Sequence, residues 1–174
     1  GLGDVYKRQL ADWCRAEIAG QDDGPAGFAC FYRLIFNRPL PEHARREWLP
    51  LIYAARRQGK GALIEAFRGA AKSTTLSVAW TAFRIGHHPH TASLVIQVSD
   101  AAARDTCRQI ADLIANHANW RAVFPHVARD VRAGWGLTGY NVQRKDLPYQ
   151  RWRALAAASK GKDPTLLGLS LIHI

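Results

Sequence analysis

The sequence predicts an α/β fold, a parallel sheet flanked by helices in three layers. Three observations carry this expectation. Two short apolar runs, Ala62-Leu63-Ile64 and Ser93 to Val98 (SLVIQV), have the length and composition of buried strands. Each is followed by a segment of helical periodicity. Between the first run and its helix lies a short loop that ends in Lys72-Ser73. Strand, helix, strand, helix is the order of parallel strands joined by right-handed crossovers.

The other elements follow in chain order. Leu10 to Ile18 (LADWCRAEI) has the spacing of an amphipathic helix, broken by AGQDDGP at 19–25. Phe28 to Phe36 (FACFYRLIF) is aromatic-rich and reads as a short helix on the core, ended by NRPLP. Pro41 to Arg57 reads as a helix, with Pro41 early, Glu42 and Glu47 nearby, and Trp48, Leu51, Ile52 and Ala55 as its apolar face. A basic, glycine-broken turn closes it at 56–61. From Thr74 onward, Leu76, Ala79, Trp80 and Phe83 recur at helical spacing, up to the loop GHHPH at 86–90. Ser99-Asp100 cap a helix from Ala101 to about Asn116, with Ala103, Cys107, Ile110, Leu113 and Ile114 on one side. Ala118 to Val127 is a short helical piece ended near Pro125. Trp135 to Val142 is a strand candidate, and Lys160 to Gly168 reads as a loop.

The two ends do not read as protein. The codons GAT GTG TAT AAG AGA CAG encode DVYKRQ, and their reverse complement encodes LSLIHI. These are the two orientations of a transposon-end sequencing adapter. Residues 1–9 and 169–174 are therefore expected to be adapter-derived, leaving 10–168 as part of one domain, truncated on both sides. The absence of methionine agrees.

Composition sets bounds. Hydrophobic residues make up 48% of the chain, enough for a proper core. The formal charge of +10, from 24 basic and 14 acidic residues, suits a polyanionic partner such as DNA, or else reflects an arginine-rich proteome. Cys14, Cys30 and Cys107 lack metal-ligand spacing and read as reduced thiols. No apolar run approaches the roughly 20 residues of a membrane span.

The chemistry concentrates in the loop. Backbone N–H groups at a helix start attract phosphate, and the helix dipole favours the anion. A lysine there reaches the terminal phosphates, and the next hydroxyl holds Mg²⁺. Lys72 and Ser73 suit those roles, with Phe67, Arg68, Gly69, Ala70, Ala71 and Thr74 completing the candidate ATP site. The common pattern G-x-x-x-x-G-K-[ST] would put glycines at Ala66 and Ala71, yet the loop's glycine is Gly69. Arg68 either stabilises charge developing at a γ-phosphate or bonds a nearby carbonyl or carboxylate.

Other candidates carry two readings each. Asp100 is a strand-end carboxylate or a helix cap. Trp48 and Tyr53 stack on adenine or pack in the core. Arg56, Arg57, Lys60, Arg144, Lys145, Arg151 and Arg153 touch a DNA backbone or line a solvated face. His87, His88 and His90 lack the companions of a metal site. No apolar run ends in paired acids, the feature that ATP hydrolysis by such a fold requires.

The order of these features resembles the large terminase subunit of tailed bacteriophages, a DNA-packaging motor. The likeness lies in REWLPLIYAARRQGKG before the loop, FRGAAKSTT in it, and RIGHHPHTASLVIQVSDAAARDTCRQIADLI after it. VFPHV, GWGLTGYNV and SKGKDPTLLG follow, so it covers nearly all of 10–168. The terminase loop often has Arg-Gly before a variable pair and Lys-Ser/Thr, and often lacks the first glycine. The resemblance implies an N-terminal ATPase domain of the ASCE, RecA-like P-loop type, followed in the family by a ribonuclease-H-like nuclease. It implies that Lys72 binds the β/γ-phosphates, that Ser73 ligates Mg²⁺ beside Thr74, and that Arg68 is a cis arginine finger. The acidic Walker B strand and the nuclease carboxylates are expected beyond Gly168, so this fragment alone is expected to be inactive. The implied activity is ATP-driven packaging of double-stranded DNA into a procapsid. The implied partners are DNA, the small terminase subunit and the portal protein, with a homo-oligomeric ring on the capsid. The implied place is the bacterial host cytoplasm, transiently at the portal, with no membrane. Two other readings stand beside it: another P-loop helicase or translocase, and a non-catalytic nucleic-acid-binding module with a dead loop.

Overall fold

The computed structural model describes residues 2–20, 23–93, 95–133, 135, 136 and 139–160. Helices dominate, and the strands among the described residues form two antiparallel two-stranded sheets. The chain divides into two compact units, Gly1–Leu76 and Ser77–Ile174.

In the first unit, α1 (Leu2–Gly20) packs against α2 (Pro25–Phe36). Pro25 opens α2, where its fixed φ suits a first turn. Asn37 closes it with φ 51°, a left-handed cap. Phe28, Phe31 and Tyr32 of α2 are wholly buried, and Cys14 and Ile18 of α1 are 1% exposed. A π-helical stretch, Ala44–Trp48, then runs into α3 (Leu49–Arg57). Pro50 lacks an N–H for the preceding turn, and a wider turn accommodates that gap. Trp48, Leu49 and Ala55 turn inward, whereas Leu51, expected on the apolar face, is 45% exposed. Arg56 reaches back to Asp23, with Nη1 3.0 Å from the carboxylate.

The second unit continues the helical segment Ser73–Trp80 into α4 (Thr81–His87), then α5 (Asp100–Asn116) and α6 (Ala118–Val123). Strand β1 (Val127–Arg129) pairs with β4 (Val142–Arg144), Val127 opposite Arg144. Between them β2 (Trp135–Gly136) pairs with β3 (Gly139–Tyr140). Helix α7 (Tyr149–Lys160) follows. Two indoles tie helices to strands. Trp120 donates from Nε1 to the Val127 carbonyl at 3.1 Å, and Trp152 donates to the Val142 carbonyl at 3.2 Å. Asp130 is 1% exposed and accepts from the N–H groups of Arg132 and Ala133 and from the Tyr149 hydroxyl. Gly86 lies under the Phe124 ring, where an added Cβ would come within 2.3 Å of it.

Among the described residues the expected parallel sheet is not formed. The described strands are all antiparallel. Neither Ala62-Leu63-Ile64 nor the described part of 93–98 forms a strand. Leu63 is 82% and Val98 86% exposed. An apolar run becomes a strand only where a neighbour completes its hydrogen-bond ladder and covers its faces. Over 135–142, where one strand was expected, the described residues form β2, β3 and the start of β4. Helix α7 was not expected; Trp152 and Ala156, four apart, are its buried stripe. The loop expected at 160–168 lies, from 161 on, outside the described residues. Among the described residues no helix is long and apolar enough to cross a membrane.

Candidate phosphate-binding site

The loop between the first apolar run and the helix is built from two backbone reversals. Phe67 to Ala70 is a turn closed by the Ala70 N–H, which donates to the Phe67 carbonyl at 3.2 Å. Gly69, its third residue, has φ 87°, the value that a type II turn demands and that glycine meets without strain. Ala71 has φ 58°. A Cβ in that region is disfavoured by about 1–2 kcal/mol. Ala71 thus stands where the common pattern has glycine, and its backbone takes the shape that glycine would supply.

The helix begins immediately afterwards. Its first hydrogen bond runs from the Thr75 N–H to the Ala71 carbonyl at 2.9 Å. The N–H groups of Lys72, Ser73 and Thr74 therefore precede the helical ladder. The Lys72 and Ser73 side chains are exposed and Thr74 is half-buried. Alternating positive and ordinary φ values generate the concave N–H arrays that bind anions. Arg68 is exposed and has no partner among the described residues, which leaves the carbonyl or carboxylate contact unmet. Thr75, beside the candidate set, is fully buried and its hydroxyl has no hydrogen-bond partner there.

One residue that holds this loop had not been singled out. His43 places Nε2 3.0 Å from the Ala70 carbonyl oxygen. Its ring packs edge-on against Trp48 at 4.8 Å and Phe67 at 5.8 Å between centroids. The signal was weak because 27 residues separate His43 from Ala70.

No protein-family model, curated protein or solved structure matches the chain. The chemistry of the loop rests on its own geometry.

The remaining candidates resolve singly. Trp48 is 5% exposed and belongs to the core. The Tyr53 hydroxyl donates to the Asp23 carbonyl, and burial pushes its phenol above the ordinary range. Trp48 therefore offers no free stacking face. Ser99, not Asp100, caps α5: its Oγ accepts from the Ala102 N–H at 3.3 Å, and Asp100 is the first helical residue. His87 packs against Phe83 and Phe124 at 4.6 and 5.1 Å. Among the described residues no three His, Cys, Asp or Glu side chains gather as metal ligands. Mg²⁺ at a phosphate site needs less, since phosphate oxygens and waters supply most of its shell. The exposed Ser73 hydroxyl suits that single-ligand role.

The basic residues divide into paired and unpaired. Arg56 is held by Asp23 and Arg144 by Asp146. Arg57, Lys60, Lys145, Arg151 and Arg153 are exposed, with no carboxylate partner among the described residues. Arg129 lies over Trp135 at 5.4 Å and Arg132 over Tyr149 at 4.6 Å. The three cysteines are free and buried. Burial pushes the Cys30 thiol up to about 12, with Cys14 adding to the shift, and the Cys107 thiol to about 11. Neither is a reactive thiolate near neutral pH.

Proposed function

We propose that the chain is part of an ATP-driven motor that packages double-stranded viral DNA, the ATPase portion of a terminase large subunit. One observation carries the reading. Two positive-φ residues, Gly69 and Ala71, immediately precede Lys72-Ser73 at a helix start. That backbone presents successive N–H groups to an anion, with a lysine and a hydroxyl beside them. Lys72 would neutralise the β/γ-phosphates, Ser73 would hold Mg²⁺ with Thr74 beside it, and Arg68 would face charge developing at the γ-phosphate. Bound Mg²⁺ would offset phosphate charge. Phe67, Ala70 and Ala71 would contribute backbone to the cradle. The proposal carries with it the three-layer P-loop fold, DNA as partner, the small subunit and portal as further partners, and a ring of copies on the procapsid. Lys145, Arg151 and Arg153 support the DNA assignment as unpaired cations.

The chain has no apolar run ending in paired acids, so binding rather than turnover is the readout. Titration with a fluorescent ATP analogue and Mg²⁺ should show saturable binding. Lys72→Ala should weaken it by at least about tenfold, the loss of one charge-assisted contact, without lowering the melting temperature, because Lys72 is exposed. Equal affinity in wild type and variant would remove the basis of the motor reading. A nucleic-acid-binding module with a dead loop is the second reading, favoured by the unpaired cations around α7. It predicts salt-sensitive DNA binding with no response to Mg·ATP.

A further inference from the structure

We infer that His43 is the positioning residue of the phosphate loop: its Nε2–H holds the Ala70 peptide and so sets the direction of the Ala71 N–H. The inference rests on the phosphate-binding reading above. A carbonyl oxygen can only accept, so the ring nitrogen 3.0 Å from Ala70 O carries the proton. The Ala70–Ala71 peptide is planar and trans, as no cis bond occurs in the described chain. Its C=O and N–H therefore point to opposite sides. Fixing the oxygen on His43 turns the Ala71 N–H away from His43.

That peptide is also the one that enters the strained residue. Ala71 at φ 58° would relax toward negative φ if its peptide were free to rotate. His43 opposes that rotation from a braced position. Trp48, itself 5% exposed, packs on its ring, and Phe67 at the start of the turn packs on it as well. The imidazole thus touches the first residue of the Phe67–Ala70 turn by its ring and the last by its Nε2–H. Ala70 is 2% exposed, so its carbonyl has little water to replace the bond. His43 is a positioning residue: it acts on phosphate through the peptide it holds.

Two substitutions separate the donor from the ring. His43→Phe keeps an aromatic ring beside Trp48 and Phe67 but has no N–H. His43→Gln keeps an amide donor at similar reach and has no ring. Limited trypsin digestion reads the loop directly, because Arg68 and Lys72 are exposed cleavage sites within it. His43→Phe should speed cleavage at both by about fivefold, the loss of one hydrogen bond, and weaken Mg·ATP-analogue binding by a similar factor. His43→Gln should restore most of both. Cleavage and affinity unchanged in His43→Phe would overturn the inference. So would equal loss in both variants, since a donor at similar reach would then restore nothing. If neither variant folds, the wild-type chain still decides: a slowly exchanging His43 Hε2 resonance is expected by NMR, and a rapidly exchanging one overturns the bond. Should wild type fail to bind nucleotide while His43→Phe is still cleaved faster, the phosphate reading falls and the restraint on the loop stands.

Discussion

The phosphate-loop region and the β1–β4–α7 region are built on opposite terms. Around the loop, Leu63, Phe67, Arg68, Lys72 and Ser73 are exposed, and a non-glycine residue sits at positive φ. Around the small sheet, Trp120, Trp152 and Asp130 are buried and each satisfies a polar group of another segment. In the second region burial and hydrogen bonding agree at these three side chains, and such agreement is how a sequence specifies one packing. The first breaks one, and such breaks cluster where a chain must present backbone to a ligand. Strain without a core needs a local restraint, and His43 is the restraint this loop has.

The contrast can be broken most easily in the packed region. Trp120→Ala should lower unfolding free energy by about 3–5 kcal/mol, since it empties a wholly buried site and orphans the Val127 carbonyl. Leu63→Ala beside the loop should change it by no more than about 0.5 kcal/mol. Urea denaturation of both variants measures the pair, and a large loss for Leu63→Ala would mean that the exposed run has a partner. A smaller effect sharpens the loop itself. Ala71→Gly should stabilise the chain by about 1 kcal/mol by relieving the left-handed alanine, read as a rise in urea midpoint. A fall would remove the strain from the account of the site.

The smallest effect concerns Asp146 in the turn after β4. A hydrogen bond from Arg144 holds its carboxyl below the usual range. Its folded value is lowered, so its contribution is present above the ordinary carboxylate range near pH 4 and is lost as pH falls through the folded value. Arg144→Gln should therefore melt slightly below wild type at pH 6 and together with it near pH 2. A gap that persists in acid would assign the difference to packing of the arginine stem instead.

Helical periodicity made most of the helices legible, because an amphipathic stripe is a local property of the chain. The capping pair at 99–100 was legible as a pair, but which of the two caps was not, since both side chains are competent acceptors. The apolar runs at 62–64 and 93–98 misled, because strand formation depends on a neighbour that composition does not reveal. Helix α7 was missed because, among its described side chains, Trp152 and Ala156 alone are buried.

Residue order carried the loop's residues, the Lys72-Ser73 pair at a helix start, the excess positive charge and most helix positions. These are matters of residue identity and short-range periodicity. Tertiary structure alone decided three things: that Ala71 takes a glycine's conformation, that His43 reaches across 27 residues to the Ala70 carbonyl, and that the strands pair antiparallel. The His43–Ala70 contact and the β1–β4 pairing join groups distant in the chain, and no local pattern encodes such a meeting.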